Sequence, residues 1–225
     1  MELEHMGIVI LSDDQVELSG HKCTERRAEA ERMQKAHVPG FDAKSEFDYS
    51  LGNIQAGMAM CQLRGVDYTF HSNLYWASNS PLFEVIGRKV LVRTSPIDPK
   101  KTKKIWQHEL PLYDWEMNDK KVKKEIRVYM VGKKHIWMPA GWIISKNGED
   151  KGQRKPMYSG SGVFVNIKNL NTLTKNGKFK NGKFKNSEYE DEWENLPEEI
   201  RDAIEHPYKL LKGRKLYDKF REYFT

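Results

Sequence analysis

Pro81–Ser95, PLFEVIGRKVLVRTS, is the stretch that decides the fold. It predicts two strands, Leu82–Ile86 and Lys89–Thr94, joined by a tight turn at Gly87-Arg88. Glycine reaches a positive φ without the clash a Cβ brings, and the β-branched residues of the second run suit a pleated, half-buried surface. Side chains alternate along a strand, so Leu91 and Arg93 share one face while Val90, Val92 and Thr94 take the other.

Upstream of the hairpin the pattern turns helical. Gly7–Leu11 (GIVIL) predicts a short strand, with Ser12-Asp13-Asp14 as a turn. A helix is expected from Ser19-Gly20 to His37, rich in Ala, Glu, Arg, Met and Gln, with a thin inner side of Cys23, Arg27, Ala30 and Met33. Val38-Pro39-Gly40 ends it. A second helix spans Phe47–Leu63, where Phe47, Leu51, Ile54, Met58 and Cys61 recur at three- and four-residue steps and mark a buried stripe. Gly52 and Gly57 within it point to close packing rather than a hinge, and Arg64-Gly65 stops it.

Downstream, Pro96–Lys104 (PIDPKKTKK) reads as a basic loop and Ile105–Tyr113 as a strand. Asp114–Glu125 is polar and dense in lysine. Ile126–Val131 alternates and predicts a strand, as does Ile136–Ile144, where Pro139 demands an edge position or a bulge. Asn147–Ser161 reads as a Gly-rich loop and Val163–Ile167 as a last short strand. Lys175–Lys185 carries a direct repeat, NGKFK-NGKFK, suited to a ribbon or a loop, and helices are expected over Pro197–Glu205 and Tyr208–Tyr223.

With 225 residues the chain can bury a sizeable core. Its 38% hydrophobic and 31% charged residues exclude a disordered chain, and no apolar run is long enough for a membrane helix. Met1–Met6 (MELEHM) is expected to be a cloning remnant. The net charge of +6 suits a polyanionic partner. Cys23 and Cys61 stand at no metal-ligand spacing and read as reduced thiols of a cytoplasmic protein. The histidines His71, His108 and His135 are scattered, and no Walker loop, dinucleotide fingerprint or nucleophile elbow occurs. Trp106, Trp115, Trp137 and Trp142 are expected to pack the sheet and its edges.

The helix with glycine before its middle (IQAGMAMCQLRGV), the hairpin P-x-F-x-V-x-G-x-x-V-x-V-[KR]-T and the later GWI strand together resemble the PD-(D/E)XK superfamily, in particular its uncharacterised phage-type members. The resemblance covers about Leu18 to Leu173. It implies a restriction-endonuclease-like α/β fold, with α+β as the other class: a mixed central sheet flanked by helices. The expected organisation is a core over 7–173, a polar repeat-bearing linker over 174–195, and a helical C-terminal extension over 196–225.

In that family the hairpin carries Pro-Asp and then Val-Glu-Val-Lys. Carried over, Leu82 stands at the aspartate, Leu91 at the glutamate and Arg93 at the lysine, while Met58 stands near the helix glutamate. Leucine and methionine cannot hold the hard cation that phosphodiester hydrolysis uses. The resemblance therefore implies a nucleic-acid-binding protein, with double-stranded DNA as partner, on a nuclease scaffold with a degenerate site and no cofactor. Arg93 and Lys89 would contact phosphate, together with Lys100, Lys101, Lys103, Lys104, Lys120, Lys121, Lys123 and Lys124, and with Lys133-Lys134 if the clusters gather on one side.

Two alternatives stay open. One is a working Mg²⁺-dependent endonuclease with Glu84 as a displaced metal ligand, Asp98, Glu109 or Asp114 as a second carboxylate, and Lys89 or Arg93 as the cation. Against it, Glu84 also reads as a plain surface residue beside a Lys or Arg; and against the degenerate site, Met58, Leu82 and Leu91 read equally as ordinary core. The other is a protein-interaction or assembly module, in which the lysines serve only solubility. Dimerisation is common in the family, and no segment here declares a dimer face. Phe179 and Phe184 among the repeat lysines resemble the stacking platforms of single-strand binders, and the repeat reads equally as a slipped-replication insert in a loop.

Overall fold

The computed structural model describes residues 9–32, 43–69, 82–85, 87–96, 109–157, 160–173, 179–183 and 198. Met1–Met6, Asp98, the lysines at 100, 101, 103 and 104, His71, His108, Trp106, Phe184 and the expected C-terminal helices lie outside the described residues, Glu198 apart.

Strand β1 (Val9–Ile10) leads directly into helix α1 (Asp13–Arg32). The helix begins before the expected Ser19 because Ser12 and Gln15 form a capping box. The Ser12 amide donates to Gln15 Oε1 (2.9 Å), and the Gln15 amide donates to Ser12 Oγ (3.2 Å). Its inner side is Ser19, Cys23 and Arg26, not the Arg27 side: Arg27 pairs with Glu31 at the surface.

Helix α2 (Ala43–Arg64) is buried on every side from Asn53 to Cys61, further than a one-sided stripe. Small residues make this fit. A Cβ on Gly57 would come within 2.6 Å of the Tyr68 ring, so a side chain there is excluded, while Gly52 has only ordinary contacts. Gln55 donates to Ser19 Oγ (3.0 Å), which ties α2 to α1.

The hairpin forms as expected, with β2 (Phe83–Val85) antiparallel to β3 (Arg88–Pro96). Gly87 turns the chain at φ +65°, and Arg88 already pairs with Val85. Strand β4 (Glu109–Tyr113), the one-turn helix α3 (Asp114–Asn118) and a 3₁₀ turn (Val122–Lys124) lead to β5 (Ile126–Lys133), which runs parallel to β3.

Strand β6 (Ile136–Ile144) is antiparallel to β5 and lies inside the sheet. Pro139 is accommodated by a bulge: Met130 faces Pro139 and Tyr129 faces Gly141, which leaves Ala140 over. One extra residue switches the alternation, so Trp137 and Trp142, five positions apart, both join the core against α2.

The segment expected to be a loop after β6 instead holds the short helix α4 (Gly148–Lys151) and β7 (Gln153–Met157). Strand β8 (Gly160–Asn166) pairs with β7 and β4, and β9 (Asn171–Leu173) with β6 and β10 (Phe179–Lys183). The central sheet therefore continues past residue 173 into the NGKFK repeat, with a register shift between Phe179 and Lys183.

The result is an α/β architecture around a mixed sheet, ordered β10-β9-β6-β5-β3-β2 with β1 on β6, beside a smaller β4-β8-β7 sheet. One face of the central sheet presents Val90, Val92, Ile126, Val128 and Met130 to α2. The opposite face meets α3, which follows β4. In the small sheet, Leu110 and Leu112 on β4 pair with Val165 and Val163 on β8, all buried. Among the described residues no helix is long and apolar enough to cross a membrane.

Candidate functional site

The hairpin face singled out by sequence carries Glu84, Lys89, Leu91 and Arg93. Its outer end is open: Glu84 and Lys89 sit directly across from each other and both are exposed. Its inner end is closed. Arg93 is only 2% exposed, and its Nη2 donates to Glu116 Oε1 at 2.5 Å. On the adjacent strand, fully buried Arg127 donates from Nε to the same oxygen at 2.8 Å and from Nη1 to Glu125 Oε2 at 3.0 Å. The second oxygen of Glu116 accepts the Tyr113 amide at 2.9 Å.

Two buried guanidiniums thus share one fully buried carboxylate, with Glu125 at the rim. Burial by itself pushes the Glu116 carboxyl up, but Arg93, Arg127 and the Tyr113 amide outweigh it and hold the group below its ordinary value. Arg127 is pushed down by burial and held up by Glu116, and as a guanidinium it stays charged. Its Nη2 has no hydrogen-bond partner among the described residues. Arg93 therefore spends its charge inside the protein, and the phosphate contact expected of it has no path to solvent.

The positions aligned with catalytic acids do not converge. Met58 belongs to the core between α2 and the sheet, and Leu82 packs against that core beside Gly57. Leu91 is buried on the opposite face of the sheet, the face of Arg93. Of the expected second carboxylates, the two that are described are engaged elsewhere: Glu109 accepts two bonds from Lys155 Nζ (2.8 and 2.9 Å), and Asp114 is held by Arg154 (2.8 Å) and the Ser161 hydroxyl. Among the described residues no group of three or more His, Cys, Asp and Glu side chains gathers.

The lysines of 120–124 lie at the end of the sheet where β5 begins. Asp119 organises them. Its Oδ1 accepts the amides of Lys121 (2.8 Å) and Val122 (3.0 Å), and its carbonyl accepts the Lys123 amide (2.9 Å). The Val122 and Lys121 amides hold the Asp119 carboxyl below its ordinary value. Lys120, Lys121 and Lys124 are exposed and Lys123 is half-buried. Arg88 Nη1 donates to the Lys124 carbonyl (2.8 Å), which brings the hairpin turn and Lys89 to the same end. The Ser145 amide bonds the Glu125 carbonyl (3.0 Å), which brings exposed Lys146 there as well.

Lys133-Lys134 does not join this group. It stands at the far end of the eight-residue strand β5, about 25 Å away at the usual rise per residue.

Two site residues escaped the sequence reading. Glu116 sits in a stretch of polar character, and its signal is the third position of a helix whose N-cap is a tyrosine, outside the usual capping pattern. Trp115, expected to pack an edge, is 43% exposed, whereas Trp137 and Trp142 are buried as expected. No family model matches the chain, and no curated protein or solved structure matches it.

Proposed function

We propose that this chain is a cytoplasmic nucleic-acid-binding protein, built on a restriction-endonuclease-like scaffold whose catalytic position is occupied by internal ion pairs. The observation that carries the reading is the set of exposed lysines 120, 121 and 124, fixed by the Asp119 turn at the same end of the sheet as Arg88 and Lys89 of the hairpin and Lys146 after β6. Cations held on a short, internally bonded turn bind phosphates without first having to order a loop. The scaffold part of the reading is supported by helix α2 packing over the hairpin and by a mixed sheet continued through a parallel strand. The loss of catalysis is supported by apolar Leu82, Leu91 and Met58 and by the enclosure of Arg93. Two buried free thiols fit a reducing compartment.

The test is binding of a labelled DNA duplex by fluorescence anisotropy between 50 and 200 mM salt. Each phosphate contact contributes roughly −0.9 to the slope of log K against log salt, so three lysine contacts give about −2.7. A Lys120→Gln/Lys121→Gln/Lys124→Gln variant should lose most of that slope. Affinity that stays flat with salt would sink the reading. Plasmid DNA should remain uncut with Mg²⁺ or Mn²⁺, and cleavage that disappears in Glu84→Ala would instead establish the endonuclease alternative.

A further inference from the structure

Trp115 lies on α3, four residues before the Asp119 turn. Its carbonyl accepts the Asp119 amide at 3.0 Å, so tryptophan and lysines belong to one hydrogen-bonded unit. The neighbours Glu116 and Met117 are buried, which anchors the short helix from beneath. Asp114, on the other side, has its charge taken by Arg154. Among the described residues the other exposed large hydrophobics are Leu18 and Val66, both aliphatic and neither beside a lysine cluster.

An indole left 43% exposed and held on a fixed element costs little conformational entropy when a flat partner covers it. Every nucleobase offers such a face, and stacking on an aromatic side chain is tolerant of sequence. In a duplex both faces of each internal base are already stacked. An aromatic platform beside phosphate-binding lysines is therefore matched to unpaired bases.

We propose that Trp115 is a stacking platform for an unpaired base, so that the basic end takes single-stranded nucleic acid, with Lys120, Lys121 and Lys124 on the flanking phosphates. The proposal rests on the nucleic-acid-binding function given above and specifies its ligand.

The experiment is anisotropy at one low salt concentration with a labelled oligothymidine, a duplex of equal length, and a strand of the same length made of abasic residues. The full chain is compared with Trp115→Ala, Trp115→Phe and the Lys120→Gln/Lys121→Gln/Lys124→Gln variant. Trp115→Ala should weaken oligothymidine binding by about fivefold to a hundredfold, the range that one stacked base supplies. Trp115→Phe should recover most of that loss. Duplex binding should change by less than about twofold, and the salt slope should be unchanged because no phosphate contact is removed. The abasic strand should bind the wild-type chain as weakly as oligothymidine binds Trp115→Ala, a comparison that needs no altered protein.

If oligothymidine and abasic strands bind equally, and binding depends on the lysines but not on Trp115, the stacking proposal is overturned and the phosphate-binding function stands. If no strand shows lysine-dependent binding, the function itself falls and the proposal falls with it.

Discussion

Replacing Glu116 by glutamine should destabilise the protein by about 3–5 kcal/mol, the cost of removing one partner from a buried ion pair. The contacts give the same size independently. Glu116 Oε1 accepts from both Arg93 and Arg127, and Oε2 accepts the Tyr113 amide. Glutamine keeps one oxygen. Oriented toward the guanidiniums, it turns two bonds between opposite charges into bonds from a cation to a neutral oxygen, a loss of about 1–2 kcal/mol, and sets its NH₂ against the Tyr113 amide, a donor facing a donor, at about 1–3 kcal/mol. Oriented the other way, it sets that NH₂ against two cations. Urea unfolding at pH 7, followed by tryptophan fluorescence, measures the loss.

Simultaneous replacement by Arg93→Met, Glu116→Leu and Arg127→Met should be near neutral or stabilising, because no fully buried charge is left alone and Glu125, which loses Arg127, stands at the rim. The acid limb should shift too. The Glu116 carboxyl lies below its ordinary 4.5, so its stabilisation is complete above that pH and is lost as pH falls through the lower folded value. The gap between wild type and Glu116→Gln should therefore narrow below pH 4.5. A loss under about 1 kcal/mol for Glu116→Gln, or a triple variant as damaged as the single one, would refute the assignment of Glu116 as the ionised centre of the network.

Two helix glycines should respond oppositely to alanine. Gly20→Ala in α1 meets nothing within 4 Å and should stabilise by about 0.5–1 kcal/mol, while Gly57→Ala drives a Cβ to 2.6 Å from the Tyr68 ring and should cost about 1–3 kcal/mol, both read by thermal melting. Ser12→Ala removes one half of the capping box and should cost about 1 kcal/mol in the same assay. Burial pushes the thiols of Cys23 and Cys61 up to about 11 and about 12, so at pH 8 an aromatic disulfide reagent should find neither in the folded chain and both after unfolding.

The strongly patterned elements were legible in the sequence: the hairpin with Gly87 at its turn, the alternating β5, and α2 with its recurring apolar residues. Strand β7 was not, because QRKPM is an exposed edge with no apolar side to bury. The start of α1 was written in Ser12 and Gln15, a capping box easily taken for a turn.

The candidate site was half legible. The lysines of 120–124 stand out by composition, whereas their common origin in the Asp119 turn comes from backbone amides that composition does not mark. Arg93 misled because a charge near a proposed active site invites a ligand. Set among Val90, Leu91 and Val92 on an inner strand, it more directly demands a buried counter-charge, and Arg127 on the alternating β5 makes the same demand. Neither strand names the acid that answers, because Glu116 arrives from a helix beyond β4.

The pairing of β1 with β6 has a consequence for how the chain is made. The Leu11 carbonyl bonds His135, 124 residues further along, and the core over α2 is closed only when β3, β5 and β6 are all in place. At ribosomal rates of about 5–20 residues per second, roughly 6 to 25 s pass between synthesis of β1 and of its partner. During that interval the apolar middle of α2 has no sheet to cover it. The charged surface of α1, docked through Gln55 and Cys23, is the first shield that the nascent chain can offer.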